Sequence, residues 1–297
     1  MNRVNLTSHD GKVISVVEWA EAENPTCVVQ ISHGMAEHAL RYEYFARKMN
    51  ERGYIVVADD HRAHGITDKD THGYCDGDIF NDTLQDMKVI TEHYKAKYGL
   101  PVVLFGHSYG SFLTQRYVQE YADGIAGAVI GGSSHMGVAL APVGVMLSTL
   151  LCWLGLSKKP ANLIKKLTFD VYDRQFEQGS FISSQVDECE RYNADPNCGF
   201  VCSYNFYKCF FNGLSAAYRK NNLAGLKADF PLLLISGASD PVGEKGKGVD
   251  RLEAMYGEYG LNVKKVLYDG VRHEYLNDTS REAAIDEIAA FVNKVTQ

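Results

Sequence analysis

Positive charge is scarce in this sequence: 30 Lys and Arg stand against 37 Asp and Glu, for a formal net charge of −7. That balance excludes nucleic acid as a partner, because phosphate binding needs clustered basic side chains. The one basic group, Lys158, Lys159, Lys165 and Lys166, follows an apolar stretch and reads as a solvated helix face. Cysteine pairing is missing too. The seven cysteines (Cys27, Cys75, Cys152, Cys189, Cys198, Cys202 and Cys209) include no C-x-x-C, and their odd number suits reduced thiols in a cytoplasmic protein. Cys198, Cys202 and Cys209 lie close in sequence, but no His or fourth Cys completes a zinc spacing. No G-x-x-x-x-G-K-[ST] occurs and no G-x-G-x-x-G follows a strand, so no cofactor is expected. Met1 to Trp19 lacks the basic start and apolar run of a secretory signal. Internal repeats and low-complexity linkers are absent as well.

What is present is a globular composition, 45% apolar and 23% charged over 297 residues, enough for one substantial core with an insertion. Val4 to Thr7, the Asp10-Gly11 turn and Val13 to Trp19 predict an opening hairpin. Short β-type runs then follow at Cys27 to Ile31, Tyr54 to Ala58, Val102 to Phe105, Ile125 to Ile130, Pro231 to Ile235 and Val263 to Leu267. Helical spacing separates them over Tyr42 to Arg52, Ile79 to Tyr98 and Ser111 to Tyr121, and Ser280 to Val295 closes the chain as an amphipathic helix. The alternation predicts an α/β fold, a mostly parallel eight-stranded sheet flanked by helices. It breaks between about Ser134 and Leu223, where helical patterns run without a convincing strand. Residues 135–223 are therefore expected to form a helical cap inserted into a core made of 1–134 and 224–297.

Within that insertion, Met136 to Leu156 carries no charged residue and is just long enough to cross a bilayer. Gly137, Pro142, Gly144 and Gly155, and its place between two parts of one sheet, favour an apolar cap helix over an acyl pocket instead. Transient contact of that helix with a membrane or micelle surface is part of the same expectation.

The chemistry is carried by Gly106-His107-Ser108-Tyr109-Gly110, which follows a predicted strand and precedes a helix, where a nucleophile elbow must sit. A serine hydroxyl needs a base to take its proton and an acid to orient that base. Downstream, Asp240 follows the strand ending at Ile235 and His273 follows the strand ending at Leu267. The order Ser, Asp, His and the placement of each after a strand agree with α/β-hydrolase chemistry. Asp269 is a rival acid. Backbone N–H groups of Tyr109 and of Met35, in His33-Gly34-Met35, are the candidate oxyanion donors. His33, Gly34, His107, Met136, Phe206 and Phe210 are expected against the substrate, with Tyr207 and Phe211 nearby. His61 and His64 lack a third ligand at metal spacing and read as a structural loop beside the site.

Together, His33-Gly-Met-Ala-Glu-His38 with Arg41-Tyr42, Asp60-His-Arg-Ala-His-Gly65, the Ser108 elbow, Ser239-Asp240-Pro241-Val242 and Arg272-His273-Glu274 resemble the monoacylglycerol lipase and lysophospholipase group of α/β-hydrolases, labelled serine aminopeptidase S33-like. Tyr192 to Phe200 is similar to a segment of bacterial members. The resemblance implies hydrolysis of carboxylic esters, with a monoglyceride or lysophospholipid as small-molecule partner. The elbow continues Gly110-Ser111 where many relatives continue Gly-Gly. Two rival readings stand beside it. An aminopeptidase would need a cap acid for the substrate amine, with Glu188, Glu190 and Asp195 available, and a noncatalytic protein would use the pocket only to hold an apolar ligand.

Overall fold

The computed structural model describes residues 1–135 and 140–297. Eight strands form one sheet: β1 (Asn2–Thr7), β2 (Val13–Trp19), β3 (Cys27–Ser32), β4 (Tyr54–Asp59), β5 (Val102–His107), β6 (Gly127–Gly131), β7 (Pro231–Gly237) and β8 (Asn262–Tyr268), in the spatial order β1-β2-β4-β3-β5-β6-β7-β8. The first hairpin and the β2–β4 pair are antiparallel, and every other pairing is parallel. β6 begins two residues later than the sequence pattern indicates, because the single turn Ala122–Gly124 still reverses the chain ahead of Ile125.

β3 to β6 are buried along their whole length, which accounts for their largely apolar character; Gln30, the polar residue inside β3, is hydrogen-bonded to the Met87 carbonyl and the Thr91 hydroxyl. The two-residue strand period sends neighbours to opposite faces. Val28, Leu104, Ala128 and Leu232 join one core with α2 (Ile79–Tyr98), α3 (Tyr109–Tyr121) and α10 (Lys247–Glu258). Val29, Val103, Val129 and Leu233 join the other with α1 (Glu43–Asn50) and α11 (Arg281–Thr296). Each such valine or leucine contributes about 1.5–3 kcal/mol of burial.

Between β6 and β7 the described chain forms α4 (Leu140–Leu151), α5 (Asn162–Leu167), α6 (Phe169–Asp173), α7 (Val186–Ala194), α8 (Tyr204–Ala217) and α9 (Lys220–Leu223). α4 is only 12 residues long, and the turn after it is broken at Gly155, which adopts φ +83. Among the described residues no helix is long and apolar enough to cross a membrane. Met136, expected against the substrate, lies outside the described residues.

β3 neighbours both β4 and β5, so the chain order reverses between β3 and β5. A crevice opens beyond the carboxyl ends of the strands at such a point. Ser32 and Gly106 are register partners there, which sets the His33 loop beside Ser108.

Candidate active site

Ser108 joins β5 to α3 at φ +52 and ψ −118, a strained conformation for a side chain with a Cβ. The flanking glycines make the turn possible. A Cβ on Gly106 would lie 2.2 Å from Thr114 Oγ1, and one on Gly110 would lie 1.9 Å from the Ser32 carbonyl oxygen. The Ser108 N–H donates to the Gly131 carbonyl at 3.0 Å, tying the turn to β6. Ser111 Oγ sits 2.5 Å from the Ser108 carbonyl oxygen and 2.7 Å from Ser133 Oγ, so the hydroxyl that departs from the Gly-Gly pattern braces the turn from inside.

Asp240 lies in the turn after β7 and is fully buried, with Oδ2 2.9 Å from His273 Nδ1. Its Oδ1 accepts the Val242 N–H at 2.8 Å, which fixes the carboxylate in the turn. Asp269 is exposed in the turn after β8, on the surface and away from this pairing. Burial works to lower the His273 pKa, but the charge and hydrogen bond of Asp240 outweigh it and raise the imidazole above its usual value. The histidine loop is also tied to the segment between β6 and β7. His273 N–H donates to the Phe181 carbonyl at 3.1 Å, Glu274 N–H donates to that of Ile182 at 2.7 Å, and Arg272 Nη1 reaches the carbonyls of Gln178, Ser180 and Ser183.

Ser108, His107, His273, Gly34 and Met35 line one cavity of about 160 Å³, whose other walls include Phe169, Phe181, Ile182, Phe200, Val201 and Tyr207. Lys165, expected on a solvated face, also reaches this cavity while its ammonium pairs with Asp170. Tyr109 opens α3, where the first N–H groups of a helix have no intrahelical partner.

Three of the expected substrate contacts sit elsewhere. His33 is wholly buried behind the wall: the β3 end directs its ring inward, where Nε2 accepts the His61 N–H at 2.9 Å and Nδ1–H donates to the Gly34 carbonyl at 2.7 Å. Phe206 and Phe210, four residues apart on α8, pack on Tyr109 with ring centroids at 5.0 and 5.6 Å and belong to the core. Tyr207, one residue around the helix, takes the cavity position instead. His107 does reach the cavity, and burial with neighbouring His273 pushes its pKa down to about 3.

His61 and His64 belong to a polar network under the site. Asp59 Oδ2 lies 2.7 Å from His61 Nδ1, and His61 Nε2 lies 2.9 Å from Ser32 Oγ. This second Ser-His-Asp constellation is completely buried, so no substrate reaches it. Burial pushes His64 down to about 3 and His33 well below the histidine value, as suits rings that must accept N–H bonds. On the other side, Arg41 forks onto Glu274 at 2.6 and 2.7 Å and reaches Glu37 at 2.9 Å. Burial works to raise the Glu274 pKa, but Arg41 outweighs it and brings it to about 2. Burial raises that of Glu37, whose Oε1 accepts the Gly34 N–H at 2.5 Å. Arg41, Glu37 and Glu274 escaped sequence reasoning as a cluster, though each falls in a motif already noted.

Folding also brings His38, Asp195 and Cys198 within 4.8 Å of one another, a juxtaposition hidden in the linear spacing. The Asp195 carboxylate is already engaged by His38 at 2.8 Å and by the Asn197 N–H, and burial holds the Cys198 thiol in its neutral form. His38 and Asp195 form a hydrogen-bonded joint, with the Cys198 N–H on the Asp195 carbonyl at 3.0 Å.

The sequence pattern described as serine aminopeptidase, S33 matches residues 23–280. The chain belongs to that S33 family. This S33 member is 27% identical to monoglyceride lipase of Homo sapiens over 91% of its own length and 82% of the human protein. It is 26% identical to monoacylglycerol lipase of Mycolicibacterium smegmatis over 92% of its length and 90% of the relative's. Among solved structures, a thermostable carboxyl esterase from Bacillus coagulans in complex with glycerol superposes with a TM-score of 0.90 at 25% identity, covering 100% of the S33 chain and 99% of the esterase. The eight-stranded α/β-hydrolase fold is thus shared along the whole chain.

Proposed function

We propose that the protein is a serine hydrolase that cleaves carboxylic esters through an acyl-enzyme, with monoacylglycerols, lysophospholipids or other short to medium acyl esters as substrates. The observation that carries this reading is Ser108, on a strained elbow, opening into the same apolar-walled cavity as a His273 held by Asp240. His273 takes the Ser108 proton as Oγ attacks the ester carbonyl, and the amides of Met35 and Tyr109 receive the developing oxyanion. Collapse breaks the ester C–O bond, and His273 returns the proton to the departing alcohol. Water, deprotonated by the same imidazole, then releases the acid, while Asp240 stabilises the imidazolium in both steps.

Residues 135–223 act as the cap over this site. On α4 and the turn after it, Val143, Met146, Leu150, Trp153 and Leu154 are exposed, Trp153 to 81% and Met146 to 68%. An apolar patch of that kind favours transient seating on a membrane or micelle that holds the lipid ester. A cytoplasmic location is supported by seven free cysteines. None of the three cap acids named for the aminopeptidase alternative lines the cavity: Glu188 is engaged by Arg191 and Arg281, Asp195 by His38, and Glu190 is exposed.

The test is a panel of p-nitrophenyl esters of increasing chain length, with monoacylglycerol and lysophosphatidylcholine, alongside aminoacyl p-nitroanilides. Ester turnover with inert anilides is expected. Faster turnover of the anilides overturns the ester reading.

A further inference from the structure

The loop from His33 to His38 carries Met35 and is pinned peptide by peptide. Gly34 N–H is held by Glu37, the Gly34 carbonyl by His33 Nδ1, and Ala36 N–H by His64 Nε2 at 3.0 Å. Those partners come from the loop itself or from the chain after β4. The Ala36 carbonyl is held from the opposite side: Tyr192 Oη–H donates to it at 2.9 Å and Gly199 N–H at 3.0 Å. Both donors belong to the cap.

Ala36 needs such holding, because it sits at φ +56, a left-handed conformation that a residue with a Cβ rarely adopts. Further ties seat the same cap stretch. His38 meets Asp195, the Arg41 guanidinium lies 4.8 Å over the Tyr192 ring, and the Phe200 ring packs 5.2 Å from that of His64, the residue gripping the other end of Ala36.

We propose that Tyr192, backed by the Gly199 amide, is a positioning residue for the oxyanion hole. Gripping the Ala36 carbonyl from the cap keeps the strained turn in the shape that aims the Met35 N–H at the reacting carbonyl. The inference rests on the oxyanion role proposed above for Met35. Seating of residues 192–199 and competence for acyl transfer then form one equilibrium. With that stretch lifted, Ser108, His273 and Asp240 remain in place while one of the two donors loses its aim.

Tyr192→Phe is the decisive variant, since it keeps the ring over Arg41 and the cavity wall and removes only the hydroxyl. With p-nitrophenyl butyrate, kcat should fall about tenfold, the worth of one hydrogen bond, while KM stays within about twofold. An alkyl trifluoromethyl ketone, whose adduct with Ser108 carries the oxyanion, should bind about tenfold more weakly, in step with kcat. Tyr192→Ala should lose more on both measures. Unchanged kcat and ketone affinity in Tyr192→Phe, with a loss confined to Tyr192→Ala, overturns the proposal in favour of simple packing. A raised KM at constant kcat overturns it in favour of direct substrate contact. A wild-type protein that leaves every ester untouched refutes the ester reading itself, whereas a null result in Tyr192→Phe on an active wild type refutes the positioning role alone.

Discussion

The sheet and the segment between β6 and β7 are both rich in apolar residues, yet they spend them on opposite sides of the protein surface. β3, β4, β5 and β6 bury every residue, while α4 and the turn after it leave Val143, Met146, Leu150, Trp153 and Leu154 in solvent. Polar chemistry divides the same way. Nine of the ten histidines lie in residues 1–134 and 224–297, and the tenth, His135, stands at the junction. One region thus holds six buried histidines, His33, His38, His61, His64, His107 and His273, and the other offers apolar surface to the cavity and outward. In such a division, changes in the first should abolish chemistry and changes in the second should redirect it.

The sharpest way to break that contrast is at the elbow. Ser108→Ala should lower kcat on p-nitrophenyl butyrate by at least about 10⁴-fold and leave the melting temperature nearly unchanged. Retained turnover would sink the mechanism. Asp240→Asn should cost about 10³–10⁴-fold, because the imidazole loses its orienting partner. The same pair sets the pH profile. His273 works as the neutral base, and Asp240 raises its pKa, so kcat/KM should fall on the acid side at a pH above the usual histidine value. In Asp240→Asn the limb should move to lower pH, and an unmoved limb would mean that another group controls it.

Stability offers the next test. His64 and His107 are held to about 3 by burial, against an unfolded value of about 6.5. A depressed histidine binds its proton in the unfolded chain first, so stability is fully present above the unfolded pKa and is lost as pH falls from there toward the folded one. Between pH 7 and pH 5 each should remove about 2 kcal/mol, offset in part by His273, whose raised pKa acts in the opposite sense. Urea unfolding at the two pH values checks this, and equal midpoints would show that the rings are not buried neutral.

The same contrast explains what could be read from sequence. The placement of Ser108, Asp240 and His273 as candidates is legible because strand-end position and a short motif are local features, and strands such as Val102 to Phe105 announce themselves by continuous apolar character. α10 escaped notice although Val249, Leu252 and Tyr256 recur at helical spacing, since Gly246, Gly248 and Gly257 dilute the signal. Phe206 and Phe210 show a deeper limit. Periodicity tells that one face of α8 is apolar, but the core and a ligand cavity demand the same residues, and only the fold decides that Tyr207 meets the cavity. The Tyr192–Ala36 contact, 156 residues apart, leaves no local trace at all.

A smaller effect is expected on the exposed face of α4 and the turn after it. Trp153→Ala with Met146→Ser should leave soluble p-nitrophenyl butyrate turnover within about twofold but slow hydrolysis of monoacylglycerol in anionic vesicles by about three- to tenfold, the order expected from lost apolar burial in the interface. Equal loss on both substrates would place the patch in the folding of the segment between β6 and β7.

The smallest effect concerns the inner wall, where two substitutions of opposite sense separate shaping from damage. Val201 and Phe169 both line the cavity, and the Phe169 ring stacks on Phe181 at 5.6 Å. Val201→Phe removes space, so the ratio of kcat/KM for butyrate over decanoate esters should rise a few fold, given about 0.8 kcal/mol per methylene buried. Phe169→Ala adds space and should lower the same ratio. Overpacking or loosening alone costs stability in either variant and depresses both substrates together. Opposite shifts of one ratio therefore assign chain-length choice to the segment between β6 and β7, and shifts of the same sign would return that choice to the walls built by the sheet.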